Sequence, residues 1–184
     1  MDLITRMIMQ LRLLLAFLFL FAFSVSNATE LKSTADWEAV SEQAALTDSP
    51  ILVVFTADGC GYCELLKEQV LKPMFANPEA AIKATILEYD TSSGGKMTDF
   101  DGSRIRSRQF TSRYKVFATP TVVILDPNGN PLTAPIVGFN GKEDYEDLLY
   151  GTLRDSRTAM QKIGLPADAI ARTAKPVDLG SFPH

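Results

Sequence analysis

The segment Ile51-Leu52-Val53-Val54-Phe55-Thr56-Ala57-Asp58-Gly59-Cys60-Gly61-Tyr62-Cys63-Glu64-Leu65-Leu66-Lys67-Glu68-Gln69-Val70-Leu71 changes character once along its length. Ile51 to Phe55 is short, β-branched and wholly apolar, the pattern of a buried strand. Glu64 to Leu71 is built of good helix formers. Both cysteines of the chain, Cys60 and Cys63, stand at the junction. A thiol in the first turn of a helix faces unpaired N–H groups and the positive end of the helix dipole. Those groups favour thiolate, the form that attacks a disulfide. The placement points to redox chemistry.

Working outward, the N-terminus carries Arg6 and Arg12, then an unbroken apolar run from Leu13 to Phe23, then the small residues Ser26-Asn27-Ala28. Residues 1–28 read as a signal peptide cut after Ala28. The apolar run would rise only about 16 Å as a helix, against a hydrocarbon core of roughly 30 Å. A retained membrane anchor is the alternative. Export to an oxidising compartment gives an exposed dithiol chemical meaning. A passive staple is the competing reading, but closing so short a loop removes only about 2 kcal/mol of unfolded-state freedom.

Residues 29–164 suit one domain with a full core, followed by a loosely held tail over 165–184 that contains Pro166, Pro176 and Pro183. The net charge of −4 argues against nucleic acid as a partner. Two thiolates can also hold copper(I), so a metallochaperone is a reading of another class. The only histidine, however, is His184, and there is no second Cys or His pair to close a zinc site. No cofactor and no resident metal are expected.

Ser33-Thr34-Ala35-Asp36 marks a helix start, with Trp37, Val40 and Ala44 at helical spacing. The helix that follows the cysteines should run from about Gly61 to Leu71, because Pro73 disfavours helix at Lys72. Thr85 to Tyr89 reads as a strand, and the polar, glycine-containing residues 91–103 as a surface loop or short insertion. A helix is expected over Arg104 to Tyr114, anchored by Ile105, Phe110 and Tyr114. Its basic cluster of Arg104, Arg106, Arg108 and Arg113 is either a solvated face or a docking face. Thr121 to Leu125 is a strand, Asp126 to Asn130 a turn, and Leu132 to Val137 the returning strand of a hairpin. Pro131 and Pro135 place that strand at a sheet edge. Lys142 to Lys162 is a long helix anchored by Tyr145, Leu148, Leu149 and Leu153. The order gives an α/β fold, a central mixed sheet with helices on both faces.

This order, the Cys60-Gly61-Tyr62-Cys63 dithiol and Ala118-Thr119-Pro120-Thr121 at a strand start together resemble the thioredoxin-fold family, over roughly Thr34 to Lys162. The resemblance implies a cis-proline at Pro120 facing the dithiol. It also implies a backbone edge there that pairs with an extended substrate segment. Val54-Phe55-Thr56, the Gly61-Tyr62 dipeptide, Glu68-Gln69 and Thr119 are similar to the catalytic domain of bacterial periplasmic disulfide isomerases. Asp99-Phe100-Asp101-Gly102, Thr119-Pro120-Thr121 and Gly138-Phe139 resemble single-domain periplasmic thioredoxins, including those of sulfur oxidation. The isomerases carry a separate dimerisation domain. Only about 20 residues lie between the expected cut and the first strand, so a monomer is expected.

The resemblance implies a thiol–disulfide oxidoreductase in which Cys60 attacks and Cys63 resolves. Thr119, Pro120, Gly61 and Tyr62 would meet the substrate. Its substrates would be disulfide-containing exported proteins, with a membrane thiol–disulfide transporter as electron donor. Reduction is the expected direction, with isomerase or oxidase activity the alternatives. The family's buried aspartate falls at Val54 and its neighbouring lysine at about Ile86, both apolar here. The proton of Cys63 is therefore expected to leave through water, Asp58 or Glu64. The family's tryptophan before the first cysteine is Gly59.

Overall fold

The computed structural model describes residues 31–76 and 84–163. The expected signal peptide and the expected tail lie outside the described residues. Five strands form a sheet in the order β1 (Lys32–Ser33), β3 (Thr85–Asp90), β2 (Ile51–Thr56), β6 (Thr121–Leu125) and β7 (Ile136–Val137). β2 runs parallel to β3 and antiparallel to β6, with Val54 opposite Glu88 and Phe55 opposite Thr121. All of β2 is buried. Its side chains alternate between two cores, as a strand covered on both faces requires.

On one face Ile51, Val53 and Phe55 meet helix α1 (Trp37–Leu46) and helix α3 (Ser107–Arg113). This core is aromatic: Phe110 stacks on Trp37 at 4.6 Å and meets Tyr89 at 4.9 Å and Tyr114 at 5.1 Å. On the other face Leu52 and Val54 meet helix α2 (residues 61–76) and helix α4 (Lys142–Ile163), through Leu66, Val70, Tyr145, Leu149 and Leu153. Of the expected anchors of α4, Leu148 instead faces outward, 51% exposed. Asp36 caps α1 by accepting from the Ala39 N–H at 3.2 Å.

Helix α2 does not stop at Leu71. It comprises Gly61–Leu66, a π-helical turn over Lys67–Leu71 and a last α-helical turn over Lys72–Ala76. The Lys72 N–H reaches back five residues to the Lys67 carbonyl. A proline ring clashes with the carbonyl four residues earlier in a regular helix and offers no N–H to it. The widened turn just before Pro73 relieves that conflict and lets the helix continue.

The segment expected as a loop holds a hairpin instead, β4 (Lys96–Thr98) with β5 (Arg104–Arg106). Arg104 to Arg106 is therefore strand, and helix begins only at Ser107. Only Met97 and Ile105 point to the core from this hairpin, too few apolar residues to show a period. Arg113 Nη1 donates to Asp99 Oδ1 at 2.7 Å, and Nη2 pairs with Oδ2 of the same carboxylate. The returning strand after the Asp126 turn is short, with a bridge at Pro131 and a two-residue strand β7 at the sheet edge. Pro131 and Pro135 lack the N–H groups a longer ladder needs. Gly129, at φ +81°, lies under the Phe100 ring, where any side chain would collide.

Candidate active site

The register of Phe55 opposite Thr121 decides where the site lies. β2 ends at Thr56 and leads through Ala57, Asp58 and Gly59 to Cys60, at the end of the sheet where β6 begins after Thr119-Pro120. The cysteine turn and the proline turn thus share one sheet end, although sixty residues of sequence separate them. Gly59 adopts φ +70°, which a tryptophan or any other side-chain residue would occupy only with strain.

Cys60 is the N-cap of α2, and its sulfur accepts from the Cys63 N–H at 3.2 Å. The Cys60 carbonyl accepts from the N–H groups of Cys63 at 3.0 Å and Glu64 at 3.3 Å. Cys60 and Cys63 are joined as a disulfide, with their Cα atoms 5.3 Å apart. They are not equally accessible. Cys60 is half-buried, whereas Cys63 is 1% exposed. An incoming sulfur reaches Cys60 first. The Cys63 N–H is the donor aimed at the Cys60 sulfur, and a backbone donor at a helix start favours thiolate over thiol.

The Thr119–Pro120 peptide is cis. Pro120 is buried and Thr119 half-buried. The turn is braced on both sides: Thr121 Oγ1 donates to the Ala118 carbonyl at 2.7 Å, and the Gly138 N–H donates to the Pro120 carbonyl at 2.8 Å. Gly61 is exposed at the first position of α2, and the Tyr62 ring is 63% exposed. All six residues singled out in the sequence therefore stand at one end of the sheet.

Two features of this region escape sequence reading. Phe117, 83% exposed, precedes the proline turn, and Val137 lies opposite Thr121 at 46% exposure, so the surface around the turn is apolar. The second feature is a polar cluster beneath α2. Glu88, not Ile86, lies beside Val54. Its Oε1 accepts from Thr56 Oγ1 at 2.9 Å and from Lys67 Nζ at 3.1 Å. Lys67 also pairs with Glu64 at 2.7 Å, one turn past Cys63. Burial alone would lower the Lys67 pKa, but hydrogen bonds to Glu64 and Glu88 outweigh it and hold the ammonium above its ordinary value. The signal was present as a lysine four residues after Cys63 and a glutamate inside a strand, but only the register makes them neighbours. Glu64 is thus already engaged by Lys67. Asp58 is exposed, its N–H donating to Ser92 Oγ at 2.9 Å.

Among the described residues no group of three or more His, Cys, Asp or Glu side chains is arranged to hold a metal ion. No helix among them is long and apolar enough to cross a membrane.

No curated protein matches the chain. Similar solved structures include a thioredoxin-fold protein from Helicobacter pylori, 19% identical, covering 67% of this chain and 83% of that one at a TM-score of 0.48. Mitochondrial thioredoxin 3 from Saccharomyces cerevisiae, in its oxidized form, is 19% identical and covers 71% of this chain and 99% of its own at 0.46. The periplasmic thioredoxin SoxS from Paracoccus pantotrophus, in its reduced form, is 14% identical and covers 59% and 99% at 0.42. The thioredoxin-like domain family matches residues 37–150, from the first helix into the last and across both turns of the site. The chain belongs to the thioredoxin-like domain family.

Proposed function

We propose that this protein is an exported thiol–disulfide oxidoreductase that mainly reduces disulfides of periplasmic proteins. A thioredoxin-like fold carrying the Cys60–Cys63 pair suggests thiol–disulfide oxidoreductase chemistry. The observation that carries the reading is the asymmetry of the pair: an accessible Cys60 capping α2 and a buried Cys63 one turn inside.

In the reduced protein the Cys60 thiolate attacks one sulfur of a substrate disulfide. The substrate S–S bond breaks, a mixed disulfide forms, and the departing sulfur takes a proton. Cys63 then loses its proton and attacks the Cys60 sulfur, closing Cys60–Cys63 and releasing the second substrate sulfur as a thiol. Two electrons and two protons pass to the substrate. Thr119 and Pro120 offer the backbone edge against which an extended substrate segment lies, with Gly61 and Tyr62 on its other side. Val54 supplies no base. The proton of Cys63 leaves through water, toward the exposed Asp58 or toward Glu64, which Lys67 holds. A membrane thiol–disulfide transporter returns the dithiol to its reduced state.

The test is trapping. Cys63→Ala should accumulate substrate as a mixed disulfide on Cys60, and that Cys60 should alkylate faster than a free cysteine at neutral pH. A variant that traps nothing and alkylates no faster would remove the mechanism. The direction is set by the dithiol's redox potential: a strongly oxidising value would replace reduction by oxidase or isomerase activity. An insulin-reduction assay run beside a copper(I) titration separates the enzyme from a metal carrier.

A further inference from the structure

The loop after β3 and the segment from Arg106 into α3 enclose an open cleft of about 430 Å³, lined by hydroxyl groups, glycines and two arginines. The cleft is built rather than incidental. Ser107 is buried in its floor, donating from Oγ to the Ser93 carbonyl at 2.7 Å and sharing a 2.6 Å hydrogen bond with Tyr89 Oη. The Ser107 N–H closes the far side on the Gly95 carbonyl at 3.0 Å. The loop is also fastened to the active-site turn. Thr91 donates twice to the Thr56 carbonyl, from N at 2.8 Å and Oγ1 at 2.7 Å, and Ser92 Oγ holds the Asp58 N–H two residues before Cys60.

Arg106 and Arg108 at this cleft are exposed, and neither forms an ion pair among the described residues. This differs from Arg113, the fourth basic residue of the same sequence cluster, which is spent on Asp99. The chain as a whole carries a net charge of −4, so a cationic cleft runs against the overall field. Guanidinium groups with nearby hydroxyls match planar carboxylates, and a local positive patch on an acidic protein steers anionic segments to one place.

Resting on the oxidoreductase reading above, we propose that this cleft binds carboxylate side chains of an acidic substrate segment flanking the disulfide that Cys60 attacks. Its fixed tie to Asp58 sets the position of that segment relative to the sulfur. The cleft selects which disulfides are presented, and Arg106 and Arg108 are its specificity-determining residues.

Two measurements test this on the full protein. In the first, a cysteine-free peptide rich in Asp and Glu is titrated while the backbone amide signals of Ser92, Ser93, Gly94 and Gly95 are followed. A neutral peptide of equal length and inorganic phosphate serve as separate arms. The acidic peptide should shift these amides, with affinity falling about fivefold in Arg106→Ala/Arg108→Ala, the scale of two exposed charge-assisted contacts. Arg154→Ala, a charge removed from exposed α4, should leave that affinity unchanged. In the second, kcat/KM is compared for peptide disulfides flanked by Glu or by Gln. The ratio should be about five in the wild type and approach one in the double variant. Absence of shifts, equal weakening by Arg154→Ala, phosphate binding without peptide binding, or a wild-type ratio of one would overturn the proposal. Amide shifts with neither disulfide reduced would uphold the cleft and overturn the reductase reading instead.

Discussion

The two faces of the central sheet are built from different materials. The face under α1 and α3 is a connected set of rings, in which Trp37, Phe55, Tyr89, Phe100 and Tyr114 each lie within 6.2 Å of Phe110. The face under α2 and α4 is mostly aliphatic and carries both irregularities of the fold, the π-helical turn of Lys67–Leu71 and the Thr56–Glu88–Lys67 cluster. Rings fix geometry through large contact area and preferred tilt. Aliphatic packing accepts a widened helix and a partly buried charge network beside it. The difference teaches how the two layers divide their work: the aromatic face packs one side of the β2–β6 pair with interlocking rings, and the other face packs its opposite side and accommodates the dithiol helix.

The largest break in that comparison should come from Phe110→Ala. Deleting the central ring is expected to lower unfolding stability by about 3–5 kcal/mol. Denaturant unfolding followed by far-UV circular dichroism measures it; a loss below about 1 kcal/mol would deny the aromatic face its anchoring role. The Cys60 alkylation rate of the remaining folded protein should not move.

A middle-sized effect belongs to the rim of the aromatic face. Asp99→Ala leaves Arg113 without the carboxylate that raises its pKa and should cost about 2 kcal/mol, tempered because the arginine side chain is 25% exposed. Adding Arg113→Met should recover much of that loss in a double-mutant cycle. Simple addition of the two effects would show that the pair is not coupled.

The smallest effect sharpens the reading of the reactive face. Lys67→Met is expected to cost about 1 kcal/mol or less at neutral pH. Because the folded-state pKa of Lys67 is raised, its contribution is fully present below the ordinary value of 10.5 and fades as pH climbs through the higher folded-state value. The Tm difference between wild type and variant should therefore hold steady to about pH 10 and shrink above 10.5. A difference that instead grows at alkaline pH would reverse the sign assigned to the ion pairs.

Much of the fold was legible because its strongest segments obey one rule each. Ile51–Thr56 and Thr121–Leu125 are runs of strand length rich in β-branched residues, the pattern of buried strands, and Asp36 before Trp37 is a helix cap in plain view. The segments that resisted reading are those where two local preferences compete. Pro73 argues for a helix end, and the π-helical turn that defeats the argument has no sequence signature of its own. Lys96–Thr98 and Arg104–Arg106 are three-residue strands with a single inward apolar residue apiece, below the length at which alternation shows.

The site divides the same way. Cys60, Gly61, Tyr62 and Cys63 are contiguous and carried their own helix-start chemistry, whereas Pro120 entered through the family resemblance, its missing N–H saying only that a strand start tolerates it. The sequence placed both sulfurs at a helix start, and the structure puts the Cys60 sulfur at the cap, accepting from the Cys63 N–H, a local interaction between residues three apart. Only the tertiary structure decided that Glu88 and not Ile86 borders Val54, that Lys67 reaches it, and that the loop after β3 is tied to Asp58. Those pairings depend on strand register and on distances across the sheet, which are fixed by how the two cores pack and are written in no single stretch of the chain.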